Sequence, residues 1–195
     1  MKKTFHINKR KLLKSGALIL FSTLLTRTNL VIAKEHALLP YDDIKYLIKN
    51  LRNIKKSVFL KEADRLVKNY NQSKFYNLHL RNAKIDVYDA ELIAFSLKKI
   101  HQNQQIILNS FSISFNPTLN PDGLKLLLNS LPDHIHSLGL VACNFDDAAG
   151  KLIMSFLSRS KNLKMVCIED NNFSNSMKIN IKASALHLID CTMIV

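Results

Sequence analysis

The feature that most constrains the fold of this chain is a spaced set of residues that recurs along its second half. A typical set has apolar residues at its positions 1, 4, 6 and 11 and a small polar or thiol residue at position 9; we call these the ladder positions. Regular repetition of this kind is typical of stacked repeat units, in which each unit buries its apolar side chains against its neighbours. Two successive copies agree at every ladder position: Ile135, Leu138, Leu140, Cys143 and Phe145 against Leu163, Val166, Ile168, Asn171 and Phe173.

Three further copies extend the series in both directions. The two upstream copies are Phe75, Leu78, Leu80, Ala83 and Ile85, and then Leu108, Phe111, Ile113 and Asn116, with Leu119 one residue late. The predicted fifth copy is Ala183, Leu186, Leu188, Cys191 and Met193. The third ladder position therefore falls in turn at Leu80, Ile113, Leu140, Ile168 and Leu188, and the last of these intervals is the shortest.

The spacing matches the pattern L-x-x-L-x-L-x-x-N/C-x-L, and residues 75–195 resemble a leucine-rich repeat protein. Two long copies have a glycine downstream of the position-9 residue, Gly123 after Asn116 and Gly150 after Cys143. These copies are similar to the ribonuclease-inhibitor class. The resemblance implies an α/β solenoid: a short arc of about five repeats, with parallel strands on the concave face and helices on the convex face. The last interval is too short for a full helix and departs from that class.

Strand geometry predicts which side chains of each repeat are buried. In an L-x-L segment the two apolar side chains share one face of the strand, and the residue between them points to the other face. We therefore expect Leu138, Leu140, Ile168 and Leu186 to be buried. The resemblance implies that the opposite, concave face meets a partner, through Asn77, His79, Arg81, Ser112, Ser114, Gly139, Val141, Cys167, Glu169 and His187. Because this set has no aromatic cluster, a weak binding surface and a merely covered sheet both remain open.

The segment 1–33 has the layout of a secretory signal peptide. Seven basic residues occur without an acid, an apolar stretch runs over 16–25, and Val31 and Ala33 stand three and one before a possible cleavage site. The apolar stretch is about half of the ~20 residues that span a bilayer, so cleavage is favoured over a retained anchor. The segment 8–14 resembles the twin-arginine export motif with Lys9 in place of its first arginine, which leaves the general secretory route open. The expected location is periplasmic or secreted, with membrane association if the leader is retained.

Residues 34–74 are predicted to form a helical cap. Ile44, Leu47, Ile48 and Leu51 recur at helical spacing behind Pro40, and a second apolar stripe begins at Leu60. Residues 34–82 carry 11 Lys and Arg against 5 Asp and Glu, whereas residues 83–195 carry 10 of each. The basic residues lie mainly off the apolar stripes, which is typical of a solvated face and leaves an anion-binding face as the alternative.

No motif in the sequence indicates catalysis, and no cofactor is expected. Nucleotide-binding loops, hydrolase elbows and paired C-x-x-C motifs do not occur. His134 and His136 form an H-x-H pair without a third ligand of matching spacing, so we interpret them as surface histidines and expect no metal. Asp146 and Asp147 open a predicted helix, where acidic residues favour the dipole, and capping is their predicted role.

The sequence thus predicts a non-catalytic protein-binding module that is exported to the cell envelope and contacts an unidentified protein through the concave sheet. The alternative is a basic membrane- or nucleic-acid-associated module that uses the helices at 42–70; the neutral repeats argue against nucleic acid as the main partner. We also expect self-association through the C-terminal edge, because no amphipathic segment follows the predicted fifth copy to cover it.

Overall fold

The computed structural model describes residues 41–69, 73–103 and 106–195, and these residues form an α/β structure around one five-stranded parallel sheet. The strands lie in sequence order, and each is hydrogen-bonded to the next. They are β1 (Phe75–His79), β2 (Ile107–Ser112), β3 (Ser137–Gly139), β4 (Met165–Cys167) and β5 (Thr192–Ile194). The described helices are α1 (Tyr41–Ile54), α2 (Ser57–Asn69), α3 (Val87–Asn103), α4 (Pro121–Ser130), α5 (Asp147–Arg159) and α6 (Asn175–Ser184).

One helix follows each of the first four strands, and side-chain caps fix where three of these helices begin. Asn120 accepts a hydrogen bond from the Gly123 amide at the start of α4, and Ser174 accepts one from Met177 at the start of α6. Asp146 accepts hydrogen bonds from the amides of Ala148 and Ala149, which confirms the capping role predicted for it.

The ladder side chains form the core between the sheet and α3 to α6. Leu138, Leu140 and Ile168 are fully buried, as predicted from strand alternation. The helices approach one another closely enough that a Cβ on Gly150 would lie 2.6 Å from Cγ of Met177. The sheet and these helices together therefore enclose the ladder side chains in one buried cluster.

Asparagine side chains close the turn after two of the strands. The Asn116 Oδ1 accepts from the amides of Ala83 and Ile85 at 2.9 and 3.1 Å, and its Nδ2 donates to the Leu80 and Ile113 carbonyls at 2.8 and 2.7 Å. Asn171 makes the equivalent bonds two strands later. Its Oδ1 accepts from the amides of Cys143 and Phe145, and its Nδ2 donates to the carbonyls of Leu140 and Ile168. At the equivalent position Cys143 offers its thiol to the carbonyls of Ile113 and Val141.

A left-handed backbone residue recurs just beyond the strands. Asn82, Phe115, Ala142 and Asp170 have φ angles of 52°, 63°, 51° and 58°. Asparagine and aspartate tolerate this conformation, whereas alanine and phenylalanine adopt it at a cost of about 1 kcal/mol or more. The same turn geometry therefore occurs after four strands even where the local residue disfavours it.

The two N-terminal helices cover the start of this stack. Helix α1 packs against α3, where Asn50 donates a 2.9 Å hydrogen bond to the Ser96 hydroxyl. Helix α2 lies beside β1, and its buried Glu62 accepts a 2.7 Å hydrogen bond from the His79 amide. Arg65 donates to the Asn77 carbonyl at 2.6 Å and forms two 2.7 Å bonds with Glu62. Glu62 and Arg65 therefore bind the His79 amide and the Asn77 carbonyl on the edge of β1 that has no neighbouring strand.

The predicted fifth copy is wrong in register. Val166 pairs with Met193, and Cys167 pairs with Ile194, so the fifth strand is Thr192–Ile194 and not the segment 186–188. Leu186 is 85% exposed in the turn after α6, contrary to its predicted burial, whereas Leu188 is buried. The last interval is longer than predicted because α6 occupies the segment 175–184.

The sequence did contain a signal for this helix. Met177, Ile181 and Ala185 come after the Ser174 cap and are spaced four residues apart, and all three are buried. The spurious ladder arose because Leu186 and Leu188 happen to share the L-x-L spacing. The edge strand to which the self-association prediction refers is therefore β5, not the segment 186–188, and that association stays a prediction.

The predicted leader at 1–33 and the first residues of the predicted cap lie outside the described residues. Within the described ranges, no helix is both long enough and apolar enough to cross a membrane.

Candidate partner-binding face

The side of the sheet opposite the ladder side chains is called the open face here. Side chains on it stand in rows that cross the strands. The first row is Asn77, Ser110, Ser137, Met165 and Thr192; the second is His79, Ser112, Gly139, Cys167 and Ile194. A third row, just beyond the strand ends, is Arg81, Ser114, Val141 and Glu169. The open face therefore includes nine of the ten residues predicted from the sequence to contact a partner.

The middle of the open face is low because its side chains are small and bonded to one another. The Ser112 and Ser114 hydroxyls lie 3.3 Å apart, and the Val141 amide donates to the Ser114 Oγ at 3.1 Å. A Cβ on Gly139 would lie 2.7 Å from the Ser112 Oγ, so a larger residue at Gly139 would displace its neighbour. Because no long side chain stands here, a main chain could approach the sheet closely.

Ser114 does not offer its side chain to a partner. The prediction placed it on the exposed surface, but it is only 2% exposed, because the adjacent repeat covers it and uses its hydroxyl as an acceptor. Its role in this structure is to join two repeats.

His187 was also misplaced by the sequence analysis, as a consequence of the register error in the fifth repeat. It lies in the turn after α6 rather than on the sheet, and its Nε2 is 2.9 Å from the Ser160 carbonyl oxygen. The residue that actually follows Cys167 in the second row is Ile194, which is 46% exposed.

A charged and aromatic group stands at the β1 and β2 end of the third row. The Arg81 guanidinium lies 5.1 Å from the centre of the Phe115 ring, a favourable cation–π arrangement. Phe115 is 40% exposed, and it borders a hollow of about 480 Å³ lined by Arg81, Asn82, Phe115, Pro117 and Ala142. Nearby, burial lowers the pKa of His79, whose Nε2 lies 3.0 Å from the Ser110 hydroxyl.

The opposite end of the open face, on β4 and β5, is apolar with one acidic group. Met165 and Ile194 are each 46% exposed, and the half-buried Cys167 stands next to Ile194 in the second row. Burial, followed by the negative charge of Glu169, raises the pKa of the Cys167 thiol. The buried Oε2 of Glu169 has no hydrogen-bond partner among the described residues.

The histidines of the predicted H-x-H pair lie away from the open face, in a cleft at the amino ends of the strands. His134 lies 3.6 Å from the Asp133 carboxylate, and His101 accompanies the pair in the cleft. The His101 Nδ1 is 2.9 Å from the Ser130 carbonyl oxygen, and burial lowers its pKa to about 4. The described residues contain no group of three or more His, Cys, Asp or Glu that could hold a metal ion.

The cysteines occupy three different environments. Cys143 is buried at a turn, Cys167 faces the open side of the sheet, and Cys191 precedes β5. All three thiols are free, and burial raises the pKa of each.

Ile194 and Phe115, two exposed apolar residues of this face, were missed by the sequence analysis. Ile194 was missed because the fifth strand was placed too early, at 186–188. Phe115 was missed because strand alternation gives no orientation for a left-handed residue beyond the strand. The neighbouring Asn82 and Asp170, residue types that favour left-handed turns, were the available signal.

No protein-family model matches the chain, and no curated protein matches its sequence.

Proposed function

We propose that residues 75–195 form a leucine-rich repeat solenoid whose open face is the concave one. Two observations support this assignment. Asn116 and Asn171 make equivalent hydrogen bonds to the turn backbone in two repeats. The left-handed residue also recurs at one place in four repeats. A turn that is rebuilt in the same way in successive repeats is what a stacked solenoid requires.

We further propose that the protein is a non-catalytic binding module, exported to the cell envelope, that holds a protein partner on the open face. The observation that carries this proposal is the shape and chemistry of that face. A low centre at Ser112 and Gly139 lies between an Arg81–Phe115 group on one side and exposed Met165 and Ile194 on the other. Arginine and aromatic residues are enriched where interfaces gain most of their binding energy. An extended segment could lie across the centre and be anchored at both ends.

The export part of the proposal depends on the leader, in which basic residues precede an apolar stretch and Ala33 ends a possible cleavage motif. A mass measurement on the protein recovered from the envelope tests it. Loss of the segment 1–33 supports export with cleavage, and its retention contradicts it.

Site-specific photocrosslinking tests the binding proposal. A benzophenone amino acid at Met165 reports on the open face, and the same group at Lys125, exposed on α4, reports on the helical side. We expect one discrete protein adduct from position 165 and none from position 125. The same adduct from Lys125 alone would contradict the assignment of the open face.

A charge reversal tests whether the partner contacts Arg81 itself or merely lies near Met165. Arg81→Glu should remove the cation over Phe115 and repel an acidic partner group, which lowers the yield of the Met165 adduct. Lys151→Glu makes the same charge change on exposed α5 and should leave that yield unchanged. Equal loss in both variants would indicate that only net charge matters.

A further inference from the structure

A second candidate site lies in the cap, on elements that precede every strand of the sheet. A groove of about 390 Å³ runs between α1 and α2. Lys45, Lys49 and Arg52 line it from α1, where their spacing of four and three residues places them on one face of the helix. Buried Ile48 and half-exposed Val67 supply the apolar part of its lining.

The charge of this region is strongly positive. Residues 41–69 carry eight Lys and Arg against four Asp and Glu. Outside the groove, Lys56 pairs with Asp86 and Asp89, and Arg65 pairs with buried Glu62. Arg52 of α1 forms an exposed ion pair with Asp64 of α2 at 2.9 Å, so the exposed faces of these two helices lie next to each other.

Exposed apolar residues accompany these cations. Leu60 and Val67 are each 39% exposed and stand seven residues apart on α2, so they share the face that carries Asp64. Cations and exposed aliphatic side chains on one surface complement a ligand that carries both a phosphate and a hydrocarbon chain. Interfacial helices bind anionic bilayers with this combination of groups.

We propose that the α1–α2 groove binds anionic phospholipid at a membrane surface. The phosphate would lie on Lys45, Lys49 and Arg52, and the start of an acyl chain would lie on Val67 and Leu60. This is a site distinct from the open face, and it gives the cap a role beyond covering the first repeat.

Nucleic acid fits this surface less well. Single strands are held by bases stacked on exposed aromatic rings. Phe59 of α2 is fully buried, and the Tyr46 ring is already occupied by the Phe95 ring at 5.9 Å and the Lys99 ammonium at 4.2 Å. Neither Tyr46 nor Phe59 therefore offers an open stacking platform.

Vesicle co-sedimentation of the full chain tests the proposal. The probes are vesicles of phosphatidylglycerol and phosphatidylcholine, and vesicles of phosphatidylcholine alone. The double variant Lys45→Gln and Lys49→Gln removes two groove cations, and Lys125→Gln with Lys151→Gln removes two exposed lysines from α4 and α5 as the matched control. Since each cation near an anionic surface is worth about fivefold in partitioning, we expect the groove variant to bind anionic vesicles about 25-fold less than the control variant.

The leader contributes equally to both variants because it is present in both chains. Equal binding by the two variants would therefore overturn the proposal, since the leader or net charge would then account for the attachment. Tighter binding of a single-stranded oligonucleotide than of anionic vesicles, lost in the groove variant, would also overturn it in favour of nucleic acid.

A neutral substitution tests the hydrocarbon part of the assignment. Val67→Ser keeps the charge of the groove and should lower binding to anionic vesicles severalfold. Inorganic phosphate at millimolar concentration should not displace the bound protein. Unchanged binding by Val67→Ser, or full displacement by phosphate, would mean that the groove recognises phosphate alone and would overturn the lipid assignment.

Discussion

At the scale of single residues, the turns depend on side chains that replace backbone partners. Asn116 is fully buried and uses its amide for hydrogen bonds to two repeats at once. A buried backbone group that loses its partner costs about 1 to 3 kcal/mol. The turn asparagines therefore contribute much more to stability than surface asparagines do.

Asn116→Ala should lower the free energy of unfolding by about 3 to 5 kcal/mol, because it leaves the amides of Ala83 and Ile85 and the carbonyl of Leu80 without this partner and leaves the Ile113 carbonyl only the weak Cys143 thiol donor. Asn129→Ala, on the exposed side of α4, is the matched control and should change stability by less than about 0.5 kcal/mol. Urea unfolding measures both. Similar losses in the two variants would show that the Asn116 bonds do not hold the turn.

His101 should make stability depend on pH. Burial lowers its folded-state pKa to about 4 from the ordinary value of 6.5, so the unfolded chain binds the proton more readily. The stability that neutral His101 contributes is therefore complete above pH 6.5 and is lost as the pH falls toward 4, by up to about 3 kcal/mol. His101→Phe cannot titrate, and its unfolding free energy should fall less steeply over this range. Identical slopes in urea titrations of the two proteins would contradict the assignment.

At the scale of secondary-structure elements, α2 completes the sheet at its first edge. Exposed strand edges promote unwanted pairing, and proteins cover them with other elements. Here Glu62 and Arg65 bind the His79 amide and the Asn77 carbonyl of β1. The hydrogen bonds from Arg65 to Glu62 also raise the pKa of Arg65.

Glu62→Ala should cost about 3 to 5 kcal/mol, because it leaves Arg65 beside the sheet without its carboxylate and the His79 amide without an acceptor. Asp64→Ala removes an acid from the same helix whose ion pair with Arg52 is more than half exposed, and it should cost less than about 1 kcal/mol. Hydrogen exchange supplies a local readout. The His79 amide should exchange faster in the Glu62 variant and at the original rate in the Asp64 variant. Unchanged exchange in both variants would contradict the claim that Glu62 protects the edge of β1.

The predicted fifth copy shows where sequence periodicity is sufficient to predict strand position and burial, and where it is not. Strand alternation predicted the burial of Leu138, Leu140 and Ile168 because two strong constraints, the L-x-L spacing and a turn residue, agreed there. At Leu186 the same spacing occurs by chance beside a capped helix, and the helix determines the fold. The cap contacts of Glu62 and the orientation of Phe115 could not be predicted, since they depend on three-dimensional neighbours that spacing does not specify.

The corrected register makes a direct prediction for two neighbouring leucines. Leu188→Ala should cost about 2 to 4 kcal/mol, because Leu188 is buried, and Leu186→Ala should be within about 0.5 kcal/mol of the parent, because Leu186 is 85% exposed. Thermal or urea unfolding of the two variants checks it. A loss at Leu186 comparable to that at Leu188 would support the register predicted from the sequence, in which both leucines are buried.

At the scale of the whole molecule, the described chain has three surfaces with different chemistry. The helical side of α4 and α5 exposes mainly polar residues, the cap exposes lysine and arginine, and the open face combines small, apolar and charged groups. In our account, the cap contacts a membrane while the open face holds a protein. The core that joins them is one cluster of buried residues from Ile44 to Leu188, and the partly buried Met193 of β5 packs against it.

The reactivity of Cys167 tests the proposed use of the open face most directly. In a Cys191→Ser background, Cys143 is buried and Cys167 is the remaining partly exposed thiol among the described residues. A maleimide should modify Cys167 in the free protein and at least about tenfold more slowly in the complex with the protein identified by crosslinking at Met165. The same rate of modification in the free and bound states would contradict the claim that the partner lies on the open face.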